Sequence, residues 1–240
     1  MTTLVAGASG ATGRLLVEQL LRREQQVRVI VRSLENLPTF FHNNENVFLI
    51  HASILELSDA EMIHHVSGCE AVASCLGHTM SWKGIYGQPR RLVTEAVRKL
   101  CKAIEVSQPQ KPVKFVLMNT AGNRNRDCSE PISVAQKGAI GLIRLLLPPH
   151  LDNEQAADYL RVEVGQNNNT IEWVAVRPDG LIDAEAVSEY ETFPSPTRSA
   201  IFDAGTTSRI NVGHFMAELI TNRDLWHQWR GKMPVLYNRE

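Results

Sequence analysis

The sequence predicts a doubly wound α/β fold, in which a parallel sheet carries helices on both faces. Short apolar runs rich in β-branched residues alternate with longer segments of helical periodicity, and this alternation is typical of βαβ units. Several of the runs contain no polar alternation, as expected of parallel strands covered on both faces. Because splitting 240 residues would leave pieces with small cores, we expect one domain over residues 1–240.

Seven strands are predicted, at 3–6, 27–31, 47–50, 71–75, 113–118, 171–176 and 234–237. Helices between them have recognisable starts. The motif SDAE at 58–61 predicts a capping box. Pro89 is placed in the first turn of a helix whose apolar stripe spans 92–104. Asp152 and Gln155 predict a further N-terminal cap.

Two segments interrupt this alternation. Residues 119–131 are a polar loop after the fifth strand, and residues 183–208 are turn-rich and too irregular for one more βα unit. Ligands of open α/β sheets bind outside the carboxyl ends of the strands. We therefore interpret the second segment as part of a small C-terminal lobe, 183–211, that covers a substrate at this edge.

Composition and charge exclude several classes of protein. The chain is 43% apolar and 21% charged with a formal net charge of −1, so no strong field would recruit nucleic acid or an anionic membrane. No apolar run approaches the roughly 20 residues that span a bilayer, and the N-terminus is unlike a signal peptide. Four cysteines without C-x-x-C spacing are interpreted as reduced thiols. We expect a cytoplasmic protein.

No metal site is predicted, because His64 and His65 are adjacent on a helix and point to different faces. Trp226 and Trp229 lie three apart on the last helix. Core packing or a homodimer face is the interpretation for this pair.

A glycine-rich turn joins the first strand to the first helix. Its residues are Gly7, Ala8, Ser9, Gly10, Ala11, Thr12 and Gly13. Such a reversal favours glycine at φ > 0, and bare backbone at Gly10 would let a phosphate approach. The free amides and dipole of the first helical turn would then stabilise a pyrophosphate. The spacing is G-x-x-G-x-x-G rather than G-x-G-x-x-G, and a turn without a ligand is the alternative.

The end of the second strand distinguishes the two dinucleotides. An acid about 20 residues after the glycines would bind the ribose 2′-hydroxyl of NAD, but Arg32 and Ser33 stand there. A guanidinium can bind a 2′-phosphate through two charge-assisted hydrogen bonds, and the hydroxyl can add a third. NADP(H) is therefore favoured over NAD(H), with a solvated arginine as the alternative.

The motifs LVAGASGATGR, SCLG after the fourth strand and VRP after the sixth resemble the atypical short-chain dehydrogenase/reductase superfamily. The resemblance is strongest to its NAD(P)-binding, NmrA-like and flavin/biliverdin-reductase-like members. It implies a Rossmann-type fold with the pyrophosphate on the glycine turn. The further cofactor-binding residues that it implies, together with those argued above, are Arg32, Ser33, Ser53, Ser74, Cys75, Leu76, Gly77, Asn119, Thr120, Ala121, Arg177 and Pro178.

The chain departs from the superfamily in one respect that concerns catalysis. No tyrosine is followed four residues later by lysine, so the usual Tyr–Lys proton relay cannot be carried over. Thr120 is a candidate for polarising a substrate carbonyl, or else caps its loop. His78 is a candidate for proton transfer, or else an ordinary loop histidine. Asp179 is interpreted as a turn former. Arg198 and Arg209 could hold an anionic substrate or be solvated.

Two functions follow. The first is an NADP(H)-dependent oxidoreductase that transfers hydride to a small molecule, such as a flavin or quinone, because these acceptors need little acid catalysis. The second is a redox sensor that binds NADP(H) without chemistry, as the missing Tyr–Lys pair and the NmrA-like resemblance indicate. An epimerase or dehydratase lacks support without that pair.

Overall fold

The computed structural model describes residues 1–35, 37–78, 81–128, 130 and 134–239. Ten strands form within these residues. They are β1 (Thr2–Ala6), β2 (Gln26–Val31), β3 (Val47–His51), β4 (Ala71–Ser74), β5 (Val113–Met118), β6 (Ile171–Pro178), β7 (Gly180–Ile182), β8 (Tyr190–Phe193), β9 (Thr206–Ser208) and β10 (Val235–Asn238). The seven predicted strands are all confirmed, and β7, β8 and β9 are additional.

One eight-stranded sheet dominates, in the order β3-β2-β1-β4-β5-β6-β10-β8. Every neighbouring pair is parallel except β10 and β8. Ala6 lies opposite both Ile30 and Ser74, and Ser74 lies opposite Leu117. The carboxyl ends of the central strands are therefore flush, and the loops that leave them meet at one edge. The predicted doubly wound fold is confirmed.

The helices found in the described residues lie on both faces of the sheet. They are α1 (Gly13–Leu21), α2 (Phe40–Asn43), α3 (Asp59–Val66), α4 (Trp82–Tyr86), α5 (Leu92–Ser107), α6 (Val134–Leu146), α7 (Pro148–Asp158), α8 (Arg209–Thr221) and α9 (Arg223–Trp229), with a π-helical continuation of α7 at Tyr159–Val164. None of these helices is long and apolar enough to cross a membrane.

The structure tests each of the three predicted helix N-termini separately. The capping box before α3 is confirmed, since the Ser58 hydroxyl accepts from the Glu61 amide and the Glu61 carboxylate accepts from the Ser58 amide. The other two starts are wrong. Helix α5 begins at Leu92, after Pro89, and Asp152 lies inside α7. Neither pattern identified the cap that the tertiary structure supplies.

Two apolar layers enclose the sheet, one on each face. Alternate residues of β1 enter opposite layers: Leu4 and Ala6 pack with α3, α5 and α7, whereas Val5 packs with α1, α8 and α9. Trp226 and Trp229 of α9 are 2% and 4% exposed and belong to the second layer. The core interpretation of the two tryptophans is therefore the correct one.

The predicted lobe at 183–211 divides among three parts of the fold. Residues 190–193 form β8, which extends the main sheet, and residues 206–208 form β9, which pairs with β7. Residues 209–211 begin α8. The intervening residues 194–205 approach the carboxyl edge of the sheet through Ala200, Ile201 and Ala204. The predicted loop at 119–131 is confirmed for its described residues; residues 129 and 131 lie outside them.

Candidate cofactor and substrate site

Two cavities lie along the carboxyl edge of the sheet. The first is adjacent to the ends of β2, β1 and β4, and the second to the ends of β5 and β6. From β2 to β6 the edge spans four strand intervals, about 19 Å at the usual spacing. An extended ligand could therefore follow this edge and reach both cavities.

Close backbone contacts explain why two positions of the glycine turn require glycine. Gly7 has φ = +76°, and a β-carbon there would lie 2.6 Å from the Cys75 carbonyl carbon. A β-carbon on Gly13 would overlap the Gly7 carbonyl oxygen. Gly10 differs, because a β-carbon would meet only the Gly7 oxygen, at 3.2 Å. Gly7 and Gly13 are thus needed for the turn itself, whereas Gly10 leaves backbone uncovered on the cavity side.

The N-terminus of α1 provides donors without acceptors. Within the described part of the chain, the amides of Ala11, Thr12 and Gly13 have no hydrogen-bond acceptor. The Thr12 side chain makes no cap, and the first turn of α1 contains no acidic residue. Ser9 and Gly10 beside these amides line the first cavity. A helix terminus with this arrangement fits the pyrophosphate of a dinucleotide.

The first cavity has a volume of about 530 Å³. Its lining comes from the glycine turn, from the ends of β2, β3 and β4 with the residues that follow them, and from the segment that leads into α5. The lining residues are Ala6, Gly7, Ser9, Gly10, Ile30, Arg32, Ala52, Ser53, Ile54, Leu55, Glu56, Cys75, Leu76, Gly77, Gln88, Pro89 and Leu92. The structure thus brings Arg32, Ser53 and 75–77 together with Gly7, Ser9 and Gly10 of the glycine turn around one cavity.

The charges of this cavity are Arg32 on one wall and the exposed Glu56 on another. The exposed Arg32 guanidinium has no ion-pair or hydrogen-bond partner among the described residues. Ser33 is also exposed, and its hydroxyl oxygen accepts from the Glu35 amide at 3.1 Å, so its O–H can still donate. The two side chains named for a 2′-phosphate are therefore both available to one.

Cys75 contributes backbone rather than thiol to this cavity. Its Sγ lies 4.0 Å from Met216 Sδ on α8. Burial raises the pKa of the thiol to about 12, so it stays protonated at neutral pH and is not a nucleophile. All four cysteines are free.

The second cavity, of about 380 Å³, is mostly apolar. It is lined by Asn119, Thr120, Gly122, Ile140, Ile143, His150, Pro178, Asp179, Gly180, Leu181, Ala200, Ile201 and Ala204. A hydrophobic pocket with a few polar groups is the usual form of a small-molecule site. Three of the predicted site residues, Asn119, Thr120 and Pro178, meet here.

The residues that follow β5 have different roles at this cavity. Thr120 Oγ1 accepts from the Gly122 amide at 3.2 Å, so the loop-capping interpretation holds, and the hydroxyl hydrogen can still donate to a ligand. The Asn119 amide group is engaged with protein: Nδ2 donates to the Asn153 carbonyl and Oδ1 accepts from the Thr120 amide. Ala121 packs against Val235 and Tyr237, so only its backbone is near the site.

His78 has a structural role that the sequence did not indicate. Its side chain is 6% exposed, Nε2 lies 2.8 Å from an Asp152 carboxylate oxygen and Nδ1 lies 3.2 Å from the Gly84 carbonyl. The ring is fixed between two acceptors rather than among the residues that line the two cavities. The prediction that His78 transfers protons to a substrate is therefore not supported by its placement.

Asp152 caps a helix other than its own. Its carboxylate accepts from the Val93 and Thr94 amides at the start of α5, at 2.8 and 2.9 Å. Burial would raise the pKa of this carboxyl, but the hydrogen bonds from His78, Thr94 and Val93 hold the pKa below its ordinary value. An ionised Asp152 thus ties α7 to α5 and to the loop after β4.

Arg177 is fully buried and its guanidinium is used internally. It donates to the carbonyls of Met233 and Asn123 at 2.7 and 2.9 Å, and to the Glu130 carboxylate at 2.7 Å. These contacts join β6 to the loop after β5 and to the start of β10. The predicted cofactor contact is therefore not supported for Arg177, whereas Pro178 does line the second cavity.

The two arginines considered for an anionic substrate are paired with carboxylates. Arg198 binds Asp203 at 3.0 Å and Arg209 binds Asp183 at 2.9 Å. Asp179, read as a turn former, accepts from the Gly205 amide at 2.9 Å and faces the second cavity. Burial raises the pKa of its carboxyl. Among the described residues, no cluster of three or more His, Cys, Asp or Glu side chains could hold a metal ion.

His150 is the residue of the second cavity that sequence reasoning missed. A β-carbon placed on Gly122 would lie 3.6 Å from Thr120 Oγ1 and 3.9 Å from His150 Nδ1, so the hydroxyl and the imidazole flank one point. The ring is held on α7, which begins with two prolines. Thirty positions separate the two residues, and no local spacing predicts that they line the same cavity. A histidine in the first turn of a helix was the only available signal.

The comparisons with known proteins identify a family and a shared fold. A family model described as NAD(P)H-binding matches residues 7–223. No curated protein sequence matches the chain significantly.

Solved structures share the fold at low identity. A protein assigned as an NAD-dependent epimerase/dehydratase from Bacillus halodurans is 19% identical with a TM-score of 0.73, over 100% of this chain and 95% of that one. A short-chain dehydrogenase/reductase from Veillonella parvula, in complex with NADP, is 15% identical with a TM-score of 0.71, over 99% and 94%.

A protein assigned as an NADH-flavin reductase from Streptococcus pneumoniae is 17% identical with a TM-score of 0.67, over 100% of both chains. At these identities the structures show the fold alone, whereas the family model covers most of the sequence. The glycine turn, the sheet order and the matched residues lead to one conclusion: the chain belongs to the NAD(P)H-binding family, in agreement with its resemblance to the atypical short-chain dehydrogenase/reductase superfamily.

Proposed function

We propose that this protein is an NADP(H)-dependent oxidoreductase that reduces a small-molecule acceptor in the second cavity. The observation that carries the proposal is the arrangement of the sheet edge. Amides and an Arg32 guanidinium that have no partner among the described residues lie at one end, and an apolar cavity with a hydroxyl and an imidazole lies at the other. A nicotinamide cofactor supplies hydride when bound, and a reduction needs a second pocket next to it.

The preference for NADP(H) rests on Arg32 and Ser33. Both are exposed after β2, the strand end at which this fold reads the adenosine ribose. The guanidinium could bind a 2′-phosphate without giving up another partner, and no acid stands at the strand end to repel one. Support from similarity is limited to a neighbour of the same fold that holds NADP.

The acceptor class is a flavin or a quinone. The described lining of the second cavity is mainly Ile, Leu, Pro and Ala, which suits a planar apolar ring. Thr120 lines this cavity, and its hydroxyl would donate a hydrogen bond to a carbonyl oxygen of such a ring. A neighbour assigned as an NADH-flavin reductase is consistent with this class.

The proposal includes a cytoplasmic location. Its support is the set of four free cysteines, since disulfides are rare in reducing compartments.

Purified protein titrated with NADPH and NADH, and then mixed with NADPH and a panel of flavins and quinones, tests the proposal. We expect tighter binding of NADPH and acceptor-dependent loss of absorbance at 340 nm. A protein that binds both cofactor forms but consumes neither with any acceptor would instead be a redox sensor. Absence of cofactor binding would refute both functions.

A further inference from the structure

The second cavity contains a group whose chemistry the proposed function does not yet use. The His150 side chain is 14% exposed and lines this cavity with Thr120. Its two ring nitrogens have different surroundings. Nε2 is buried 3.4 Å from a Glu154 carboxylate oxygen, an ion-pair distance, and has no hydrogen-bond partner among the described residues, whereas Cε1 and Nδ1 lie on the side of Gly122 and Thr120. The ring therefore presents Nδ1 to whatever occupies the cavity.

Glu154 is fixed and ionised behind the ring. Its side chain is 4% exposed, and Arg144 of α6 donates to both carboxylate oxygens, at 2.7 and 2.9 Å. Burial would raise the pKa of this carboxyl, but the contacts with His150 and Arg144 outweigh burial and hold the pKa below its ordinary value. A carboxylate in this position favours the tautomer with its hydrogen on Nε2.

The charges around the cavity define the ligand as well. Among the residues described as its lining, Asp179 and His150 are the titratable ones. Arg144 is bound to Glu154, and Arg177 is bound to Glu130 away from the cavity. None of the described lining residues carries a permanent positive charge, so an uncharged ligand is favoured.

We propose that His150 is the proton donor of this cavity, acting on the oxygen of an uncharged carbonyl or quinone substrate, with Glu154 as its positioning residue. The inference rests on the proposed function. A reduced nicotinamide bound here would supply hydride, which would form a bond to the substrate with two electrons as the carbonyl π bond breaks and the nicotinamide is oxidised. The electron pair of the π bond takes the proton from His150 Nδ1, and the ring, now neutral, regains a proton from solvent. Thr120 donates a hydrogen bond to the same oxygen.

The groups that face His150 from the packed elements are Glu154 on its own helix, Arg144 through Glu154, and Asp179 across the cavity. Removal of Glu154 should therefore alter the pH profile of turnover while the cofactor still binds. If the role of Glu154 were only structural, its removal would lower the stability of the protein without changing the pH profile of turnover.

The catalytic test compares His150→Ala and His150→Gln with wild type in single-turnover oxidation of NADPH by 1,4-naphthoquinone and 4-nitrobenzaldehyde. General acid catalysis contributes about 10²–10⁴-fold. We expect a loss in this range with the aldehyde and a smaller one with the quinone, whose reduced oxygen is a weaker base. NADPH affinity should change less than about twofold, and added imidazole should restore part of the activity of His150→Ala. His227→Gln, which changes an exposed histidine on α9, is the matched control.

A second readout needs no turnover. In nitrogen-15 spectra of the protein, we expect neutral His150 to carry its hydrogen on Nε2, toward Glu154. Hydrogen on Nδ1, or an active His150→Ala variant without need of imidazole, would overturn the inference and leave the proposed function standing. Wild-type protein that reduces no acceptor would overturn the proposed function, and the catalytic assignment of His150 with it.

Discussion

Replacing Arg32 with alanine separates the two cofactors more sharply than any other single change. The substitution removes the exposed cation that follows β2 and lines the first cavity. It breaks no ion pair within the described residues, so the fold should tolerate it. Arg32→Ala should therefore weaken NADPH binding and leave NADH binding nearly unchanged, because only NADPH has a 2′-phosphate.

The magnitude follows from the exposure of the guanidinium. Two charge-assisted hydrogen bonds at about 1.5–3 kcal/mol each would give an upper limit near 6 kcal/mol. An exposed ion pair gives roughly 0.2–1 kcal/mol, because water screens it. A phosphate on the wall of an open cavity lies between these limits, and we take about 2–3 kcal/mol. At 1.4 kcal/mol per tenfold change, the Kd for NADPH should rise about 30- to 140-fold.

Binding is measured by nicotinamide fluorescence with both cofactors at two salt concentrations, since screening should reduce the effect at high salt. Arg22→Ala is the matched control, because Arg22 is an exposed arginine that follows the far end of α1 and pairs with Glu18. It removes the same charge from the protein. Its two Kd values should stay within about twofold of wild type.

The reasoning fails if Arg32→Ala keeps the wild-type ratio of the two Kd values. It also fails if NADH and NADPH weaken equally, since that result would place Arg32 on a part that both cofactors share. Either outcome would leave the glycine turn as the binding site and remove the basis for NADP(H) preference.

Three further predictions test the site and its supports. Gly10→Ala should raise the Kd of both cofactors at least about tenfold, because the added methyl group covers the phosphate side of the turn, and it should change Tm little. Tight cofactor binding by this variant would show that the phosphates bind elsewhere. Asp152→Ala should lower the free energy of unfolding by about 2–4 kcal/mol in urea titrations, because it leaves the start of α5 uncapped. Because folding lowers the pKa of Asp152, its carboxylate contributes to the free energy of unfolding above the ordinary pKa of 3.8, and this contribution is lost as pH falls through the lower folded pKa. If the stabilities of wild type and variant differ by the same amount at pH 7 and pH 2, this sign is wrong. Arg177→Met should cost about 3–5 kcal/mol by leaving Glu130 buried and unpaired, while the folded fraction binds NADPH normally; weakened binding would restore the cofactor contact first predicted for Arg177.

The sequence by itself determined the sheet and most of what lines the first cavity. Strands of a doubly wound sheet are buried on both faces, so their apolar runs are visible without any partner. The glycine turn is equally local, because φ = +76° at Gly7 and the crowding at Gly13 are requirements of a few neighbouring residues. Arg32 was found in the same way, as the residue that follows a strand.

Tertiary structure decided the second cavity. Strand β8 and the β7–β9 pair were missed because short strands near the edge carry little pattern and form through distant partners. Asp152 looked like the cap of its own helix, yet its carboxylate caps α5.

The two histidines show the physical reason most clearly. His78 follows a strand end, where local reasoning expects function, but packing of α7 fixes its ring against Asp152. His150 has no local signal, and the same packing brings it beside Thr120. Periodicity and turn chemistry act over a few residues, whereas the meeting of α7 with the β5 edge depends on the whole folded core. The first cavity could therefore be predicted from the sequence, and the second cavity only from the folded structure.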